Sequence, residues 1–407
     1  MTGNDVRVPK LRFPGFTELW KRRKIGDYYF FKNGLNKGKE YFGQGTPIVN
    51  FVDVFHNRGL TALELKGRVR LSDKEIKNFE VGKGDLFFTR TSETIDEIGY
   101  PSVMLDVPTD TVFSGFVLRG RALNDDPLTN VFKRYVFFTQ SFRKEMINKS
   151  SMTTRALTSG TALRAMNFNF PSDKKEQSQI GIFFGTIDSL IEKQERKIAD
   201  VKKLKEGLLQ KMFPKNGELL PEIRFPGFYR TWQKEEFSDL LKRRTIFSSN
   251  DSQNPRVEYE DIISGEGRLN KNLDNKLSDK NGLYFQKNDI IFGKLRPYLQ
   301  NWLLSDFEGV AVGDWWVLHP IQINARYAYS FIQTAMFREV SNITTGTKMP
   351  RSDWKLVSTM KVPFPSPEEQ AKIGEFFASI DRLITLNECK LEHLQQLKKA
   401  LLQQMFV

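Results

Sequence analysis

Two long stretches of the chain show the clearest periodicity. From Ile180 the apolar positions fall at Ile180, Phe184, Ile187, Ile191, Ile198, Val201, Leu208 and Met212. Steps of three and four place them on one helical face. The same stripe returns at Ile373, Phe377, Ile380, Ile384, Leu391, Leu394, Leu401 and Met405, and no proline interrupts either run after Pro171 or Pro367. At 1.5 Å per residue each predicts a rod of roughly 57 Å. A rod that long does not bury its stripe alone, so the pattern calls for a partner helix. An amide breaks each stripe at the same place, Gln194 in one and Asn387 in the other. Antiparallel pairing about a pseudo-two-fold axis would set these amides face to face and fix register. The alternative is that both are merely solvated. Replacing both with leucine separates the readings, because a shift to higher oligomers supports the register role.

The chain also repeats itself around these helices. Pro9–Trp20 (PKLRFPGFTELW) aligns with Pro221–Trp232 (PEIRFPGFYRTW), and Glu176–Phe213 aligns with Glu369–Phe406 at 19 of 38 identical positions. The middles match more weakly. GKGDLFFTR (Gly82–Arg90) pairs with QKNDIIFGK (Gln286–Lys294), and FSGFVLR (Phe113–Arg119) with GDWWVLH (Gly313–His319). SGTALRAMNFNFPS (Ser159–Ser172) pairs with TGTKMPRSDW (Thr345–Trp354) and VPFPS (Val362–Ser366). Short β-branched and aromatic runs between polar turns make the middles β-rich. The expected fold is therefore α+β, in four segments: 1–171, a helix over 172–213, 214–365, and a helix over 366–407.

Composition narrows the function classes. The 407 residues can bury more than one core. No stretch reaches the ~18–20 apolar residues of a membrane helix. The start MTGNDVRVPK lacks a secretory h-region, and the lone Cys389 suits a reducing compartment, so a cytoplasmic protein is expected. The formal charge of +13 favours a polyanionic partner. It is unevenly spread: +9 over residues 1–171, +2 over 172–213, +3 over 214–365 and −1 over 366–407. Catalytic signatures are missing. His56, His319 and His393 sit in different segments without metal-ligand spacing, GLNKGK has the wrong spacing for a phosphate loop, and Asn254-Pro255-Arg256 is not a base-gripping methyltransferase motif. The expectation is no catalytic residue and no metal site.

RFPGF with its closing tryptophan, GTKMPRSDW, FPSPEEQ and the terminal LKKALLQQMF together resemble the specificity (S) subunit of type I restriction–modification enzymes. The resemblance implies two target-recognition domains, each followed by a conserved helix, the helices pairing as an antiparallel coiled-coil spacer. It implies a non-catalytic chain that reads a bipartite, asymmetric site on double-stranded DNA. The expected partners are two methyltransferase (M) subunits, which use S-adenosylmethionine to methylate adenine at N6, and two restriction (R) subunits, which use ATP and Mg. No cofactor is expected in this chain. A stand-alone or orphan DNA-binding module that redirects another system's methyltransferase would have the same sequence, and so stays open.

Residues for DNA contact follow from position. Lys21, Arg22, Arg23 and Lys24 form a basic run after Trp20, and Lys242, Arg243 and Arg244 lie nearby in the second half. Such runs contact phosphates or simply begin a solvated strand. Arg90, Thr91 and Ser92 follow one DLFF strand, and Lys294, Arg296 and Tyr298 follow DIIF. Strand ends that expose arginine and hydroxyls suit groove contacts. Thr347, Lys348 and Arg351, with Gly346, come from GTKMPRSDW, opposite Gly160, Thr161 and Arg164; there the alternative is a structural turn. Off the stripe, Phe183, Leu190 and Leu209, with Phe376, Leu383 and Leu402, widen the apolar face, for M subunits or for packing under the recognition domains.

Overall fold

Both stripes fold as uninterrupted helices, Lys174–Met212 and Pro367–Met405, in a computed structural model. It describes residues 8–215, 217–248, 254–270, 273, 281–343 and 349–407. Two compact units form. The first joins the chain up to Gln194 with Lys390–Val407, and the second is Glu195–Cys389. Each unit therefore contains parts of both long helices. Among the described residues no helix is long and apolar enough to cross a membrane.

In the first unit the core sheet is four-stranded and antiparallel, ordered Tyr29–Asn33, Val117–Ala122, Leu86–Thr89, Pro101–Val103. Helices Asn130–Val136 and Gln140–Lys149 follow it. The helix segments run antiparallel beside them: Lys398 pairs with Asp188, while Phe184 meets Phe406 at 5.9 Å further along. The stripe faces the domain as much as the partner helix. Phe184 packs on Tyr135 at 5.3 Å, and Phe406 meets Trp20 at 6.0 Å and Phe132 at 5.5 Å. Ile180, Phe184 and Ile187 belong to this core, with Ile191 packed against it.

The second unit repeats the design. Its sheet is ordered Leu241–Arg243, Trp315–Pro320, Ile290–Gly293, Trp302–Leu304. Lys202 pairs with Glu388 at 2.7 Å and Lys205 with Asp381 at 2.6 Å, and Phe213 meets Phe377 at 6.0 Å, so the helices again run antiparallel. Phe213 also reaches Trp232 and Tyr327, as Phe406 reaches Trp20 and Phe132. Ile373, Phe377, Ile380 and Ile384 are core, and Val201 packs against it. Ile198 is buried, whereas Leu391 and Leu394 are half-buried.

The EQxxIG start of each long helix attaches it to its unit. Glu176 accepts two bonds from Arg12 at 2.7 and 2.8 Å, and Glu369 accepts two from Arg224 at 2.6 and 2.7 Å. The Gln177 amide bonds the carbonyls of Pro127 and Pro171 and accepts from the Thr129 amide. Gln370 does the same with Pro365 and Asn324. Gly181 and Gly374 permit close approach: a Cβ on Gly181 would sit 2.5 Å from the Val131 carbonyl carbon, and one on Gly374 would sit 2.8 Å from the Tyr327 nitrogen. Phe183 and Phe376 are covered edge-on by Phe13 and Phe225 of the two RFPGF motifs, each at 5.7 Å, and Leu209 is core. Leu402 is partly buried, but Leu190 and Leu383 are exposed.

Three repeat alignments need correction. The ladders place Thr89 opposite Val117 and Gly293 opposite Trp315, so Val117 rather than Gly115 is the equivalent of Trp315, and the FSGFVLR match slips by two residues. Ser159 and Asp353 both cap the short helix that follows, so SGTALR aligns with DWKLVS rather than with TGTKMP. Finally, Lys21–Lys24 pairs with Asn167–Phe170, and the strand in that place in the second unit is Gln233–Glu236, paired with Lys361–Phe364. The basic run thus corresponds to the sequence QKEE. Lys242–Arg244 instead continues the sheet strand equivalent to Tyr29–Asn33.

Candidate nucleic-acid interface

The second unit brings several of the expected contact residues to one edge. Ile290–Gly293 is a buried sheet strand, and beyond it the chain turns through Lys294, Leu295 and Arg296. Arg296 has the left-handed φ of 49°, which turns the chain sharply there. Its amide donates to the Pro350 carbonyl at 2.7 Å, and the Ser352 amide donates to the Lys294 carbonyl at 2.8 Å. The PRSDW segment is thereby laced to the strand end, and Leu295 bridges Arg351. Asp314 organises the charges. Arg351 donates to it through Nε and Nη2 at 3.2 and 2.9 Å, and Lys294 Nζ lies 3.4 Å away. Burial pushes the Asp314 carboxyl up, but the Arg351 hydrogen bond and the Lys294 charge outweigh it and leave it below the usual range. Tyr259 supports the turn from below: its hydroxyl donates to the Asp314 carbonyl at 2.6 Å and accepts from the Leu295 amide, while its ring stacks on Trp315 at 4.1 Å. Arg351 and Tyr298 remain 52% and 56% exposed. Thr347 and Lys348, with Gly346, lie outside the described residues.

The first unit has the same lacing with different side chains. The Arg90 amide donates to the Phe116 carbonyl at 2.9 Å, and the Arg90 carbonyl accepts from Thr158 as that of Lys294 does from Ser352. Thr91–Ser92 pairs with Ala156–Leu157, which pairs with Ser151–Met152. Arg90 and Thr91 are half-buried at this edge. Ser92 is buried, its hydroxyl bonded to Glu97 and to the Thr94 amide, so it shapes the turn. Exposed Phe116, Met152, Leu157 and Arg155 surround the edge. None of these four stands out in the sequence, because the mistaken SGT match points instead to Gly160, Thr161 and Arg164, which lie in the capped helix.

The basic runs separate. Lys21, Arg22, Arg23 and Lys24 are all exposed on their own two-stranded sheet. Arg243 is exposed and lies over the Trp354 ring at 5.0 Å. Arg244 turns inward: its Nε bonds the enclosed Asp289 at 2.6 Å, beside His319 Nδ1 at 2.8 Å from the same carboxylate. The first unit's enclosed Asp85 is held instead by Arg121 at 2.8 and 2.7 Å. The GKGD and QKND match aligns these two aspartates, but their partners lie on other strands and left no sequence signal.

Residues 229–396 match the family described as type I restriction modification DNA specificity domain. The chain is 22% identical over 249 residues to the type I restriction enzyme MjaVIII specificity subunit of Methanocaldococcus jannaschii, covering 56% of this chain and 58% of that protein. Thus the match spans under two thirds of that relative's length. In fold, the type I restriction-modification system S subunit from M. genitalium covers 98% of this chain and 99% of its own, with a TM-score of 0.60 at 16% identity. A chain from a structure on complex assembly and conformational transition of the type I R-M system covers 95% and 97%, with a TM-score of 0.57 at 13% identity. The resemblance to type I specificity subunits is upheld, in sequence over the second half and in fold over nearly the whole chain.

Proposed function

We propose that this chain is the DNA-reading specificity subunit of a type I restriction–modification complex, without an active site of its own. The observation that carries the reading is the duplicated strand-end edge. In each unit a sheet strand ends in a cation, Arg90 or Lys294, and a later loop is laced to that residue by a backbone bond. In the second unit this lacing brings Arg351 to the turn of Lys294 and Arg296, and exposed Tyr298 follows in the next turn of chain, a mixture of cations and one aromatic ring suited to phosphates and base edges. Two such edges on similar units would read two half-sites of one asymmetric sequence. The antiparallel helices would set the unread gap between them. Lys21–Lys24 adds phosphate contacts in the first unit, and Arg243 does so in the second.

On this reading two M subunits methylate adenine at N6 with S-adenosylmethionine, two R subunits bring ATP- and Mg-dependent cleavage, and the complex works in the cytoplasm. Exposed Leu190 and Leu383 are apolar surface available to the M subunits. The deciding experiment co-expresses the chain with its methyltransferase and maps N6-methyladenine by long-read sequencing. A bipartite motif is expected. Arg351→Ala should lower methylation of one half-site variant class more than the other, as befits a base-edge or phosphate contact worth about 1–3 kcal/mol. Methylation at a single continuous motif, or none, would refute the assignment.

A further inference from the structure

The first unit contains a cavity of about 550 Å³ where its helices Asn130–Val136 and Gln140–Lys149 meet the two long helices. Cations outnumber carboxylates around it. Arg58 lies 3.9 Å from the Phe138 ring centroid, and its Nη1 is buried with no hydrogen-bond partner. Arg134 sits behind, with Nη2 3.9 Å from Asp188 and Nε likewise buried and unpartnered. Lys398 pairs with the same Asp188, which also accepts from the Tyr135 hydroxyl at 2.7 Å, and Lys399 stands exposed on the rim. Asp188 is the carboxylate that acts on both Arg58 and Lys398, and burial lowers the pKa of each. Enclosed positive charge with too few counter-charges is costly unless an anion joins it.

The second unit holds the same cavity at repeat-equivalent positions, at about 270 Å³. Lys205 stands for Lys398, Asp381 for Asp188 and Glu206 for Lys399. There the charges cancel: Lys205 pairs with Asp381 at 2.6 Å, while Lys202 and Arg268 pair with Glu266 and Glu388. One architecture thus occurs twice, neutralised from within in one unit and left cationic in the other. We propose that the first unit's cavity binds a phosphate-type oxyanion, held by Arg58, Lys398 and Lys399. A guanidinium fork beside ammonium groups is the usual chemistry for such an anion. The volume accommodates anything from inorganic pyrophosphate to a nucleotide.

The test is calorimetric titration of the full chain with inorganic pyrophosphate at fixed ionic strength. One saturable site per chain is expected. Lys399→Glu, which installs the acidic residue of the twin cavity on an exposed position, should weaken binding at least about tenfold. Lys390→Glu, the same charge change on the same helix outside the cavity, should leave it unaltered. A silent titration, or equal losses in both variants, would overturn the proposal. Duplex DNA then distinguishes the sources. If Lys399→Glu also reduces the salt dependence of DNA binding by about one phosphate, the DNA backbone supplies the anion. If DNA affinity holds while pyrophosphate binding disappears, a free phosphate compound does. The pyrophosphate measurement stands whether or not the chain reads DNA.

Discussion

Glu176 and Glu369 are each 1% exposed or less and gripped by the arginine of an RFPGF motif 164 or 145 residues away. Trp20 adds its indole N–H to Glu176 at 3.2 Å. Removing one partner of such a pair strands the other, so Glu176→Ala should cost about 3–5 kcal/mol. The midpoint of one calorimetric transition should drop clearly, whereas Glu93→Ala, which breaks the exposed pair with Arg155, should leave it in place. Equal midpoints for both variants would show that the enclosed pair contributes nothing. At this scale the sequence was only partly legible. Identity between the repeats marked RFPGF and EQxxIG as important, but their partnership appears only when the chain folds. Arg244 shows the opposite failure. Read as an arginine in a basic run, it is committed to the enclosed Asp289, because a run in sequence says nothing about which way each strand residue faces.

Helices and strands were more legible, since periodicity and ladder spacing survive divergence. Both long helices follow their stripes, and the DLFF and DIIF runs occupy the same sheet position. Short polar phrases misled, as with SGT, whose serine caps the short helix that in the second unit is capped by Asp353. Gly181 gives a case where element and context disagree in sign. Helix propensity alone favours Gly181→Ala by about 1 kcal/mol. The Val131 carbonyl carbon 2.5 Å from the new methyl group demands a backbone shift, and overpacking of this kind costs about 1–3 kcal/mol. The substitution should therefore lower thermal stability, and a rise in the midpoint would contradict the close approach. The buried amides belong here too. Asn387 turns its NH2 to its own helix, donating to the Leu383 carbonyl at 2.6 Å. With both Gln194 and Asn387 replaced by leucine, an unchanged mass in light scattering would leave the amides without a register role. Assembly into larger oligomers would instead assign them that role.

For the molecule as a whole, each unit requires a helix end that the sequence assigns to the other repeat. Phe406 and Met405 complete the core around Trp20, and Leu209, Met212 and Phe213 complete the core around Trp232. A fragment of residues 1–213 would leave Trp20, Phe132 and Phe184 uncovered. It should gain stability when a peptide of residues 390–407 is added, and an unchanged midpoint would refute this. The same interlocking decides how the uneven charge should be tested, because isolated halves are incomplete. Residues 1–171 hold +9 and residues 214–365 hold +3, and the difference has a visible part: exposed KRRK in one unit stands where QKEE stands in the other. In the intact chain, replacing Lys21, Arg22, Arg23 and Lys24 with glutamine should reduce the slope of log affinity against log salt by about 0.9 for each phosphate that the run neutralises. Replacing Lys234 and Lys361 on the equivalent strands of the second unit should change it far less, because Glu235 and Glu236 already offset them. Equal changes in the two variants would mean that the charge excess is spread over the surface and that neither strand faces the duplex.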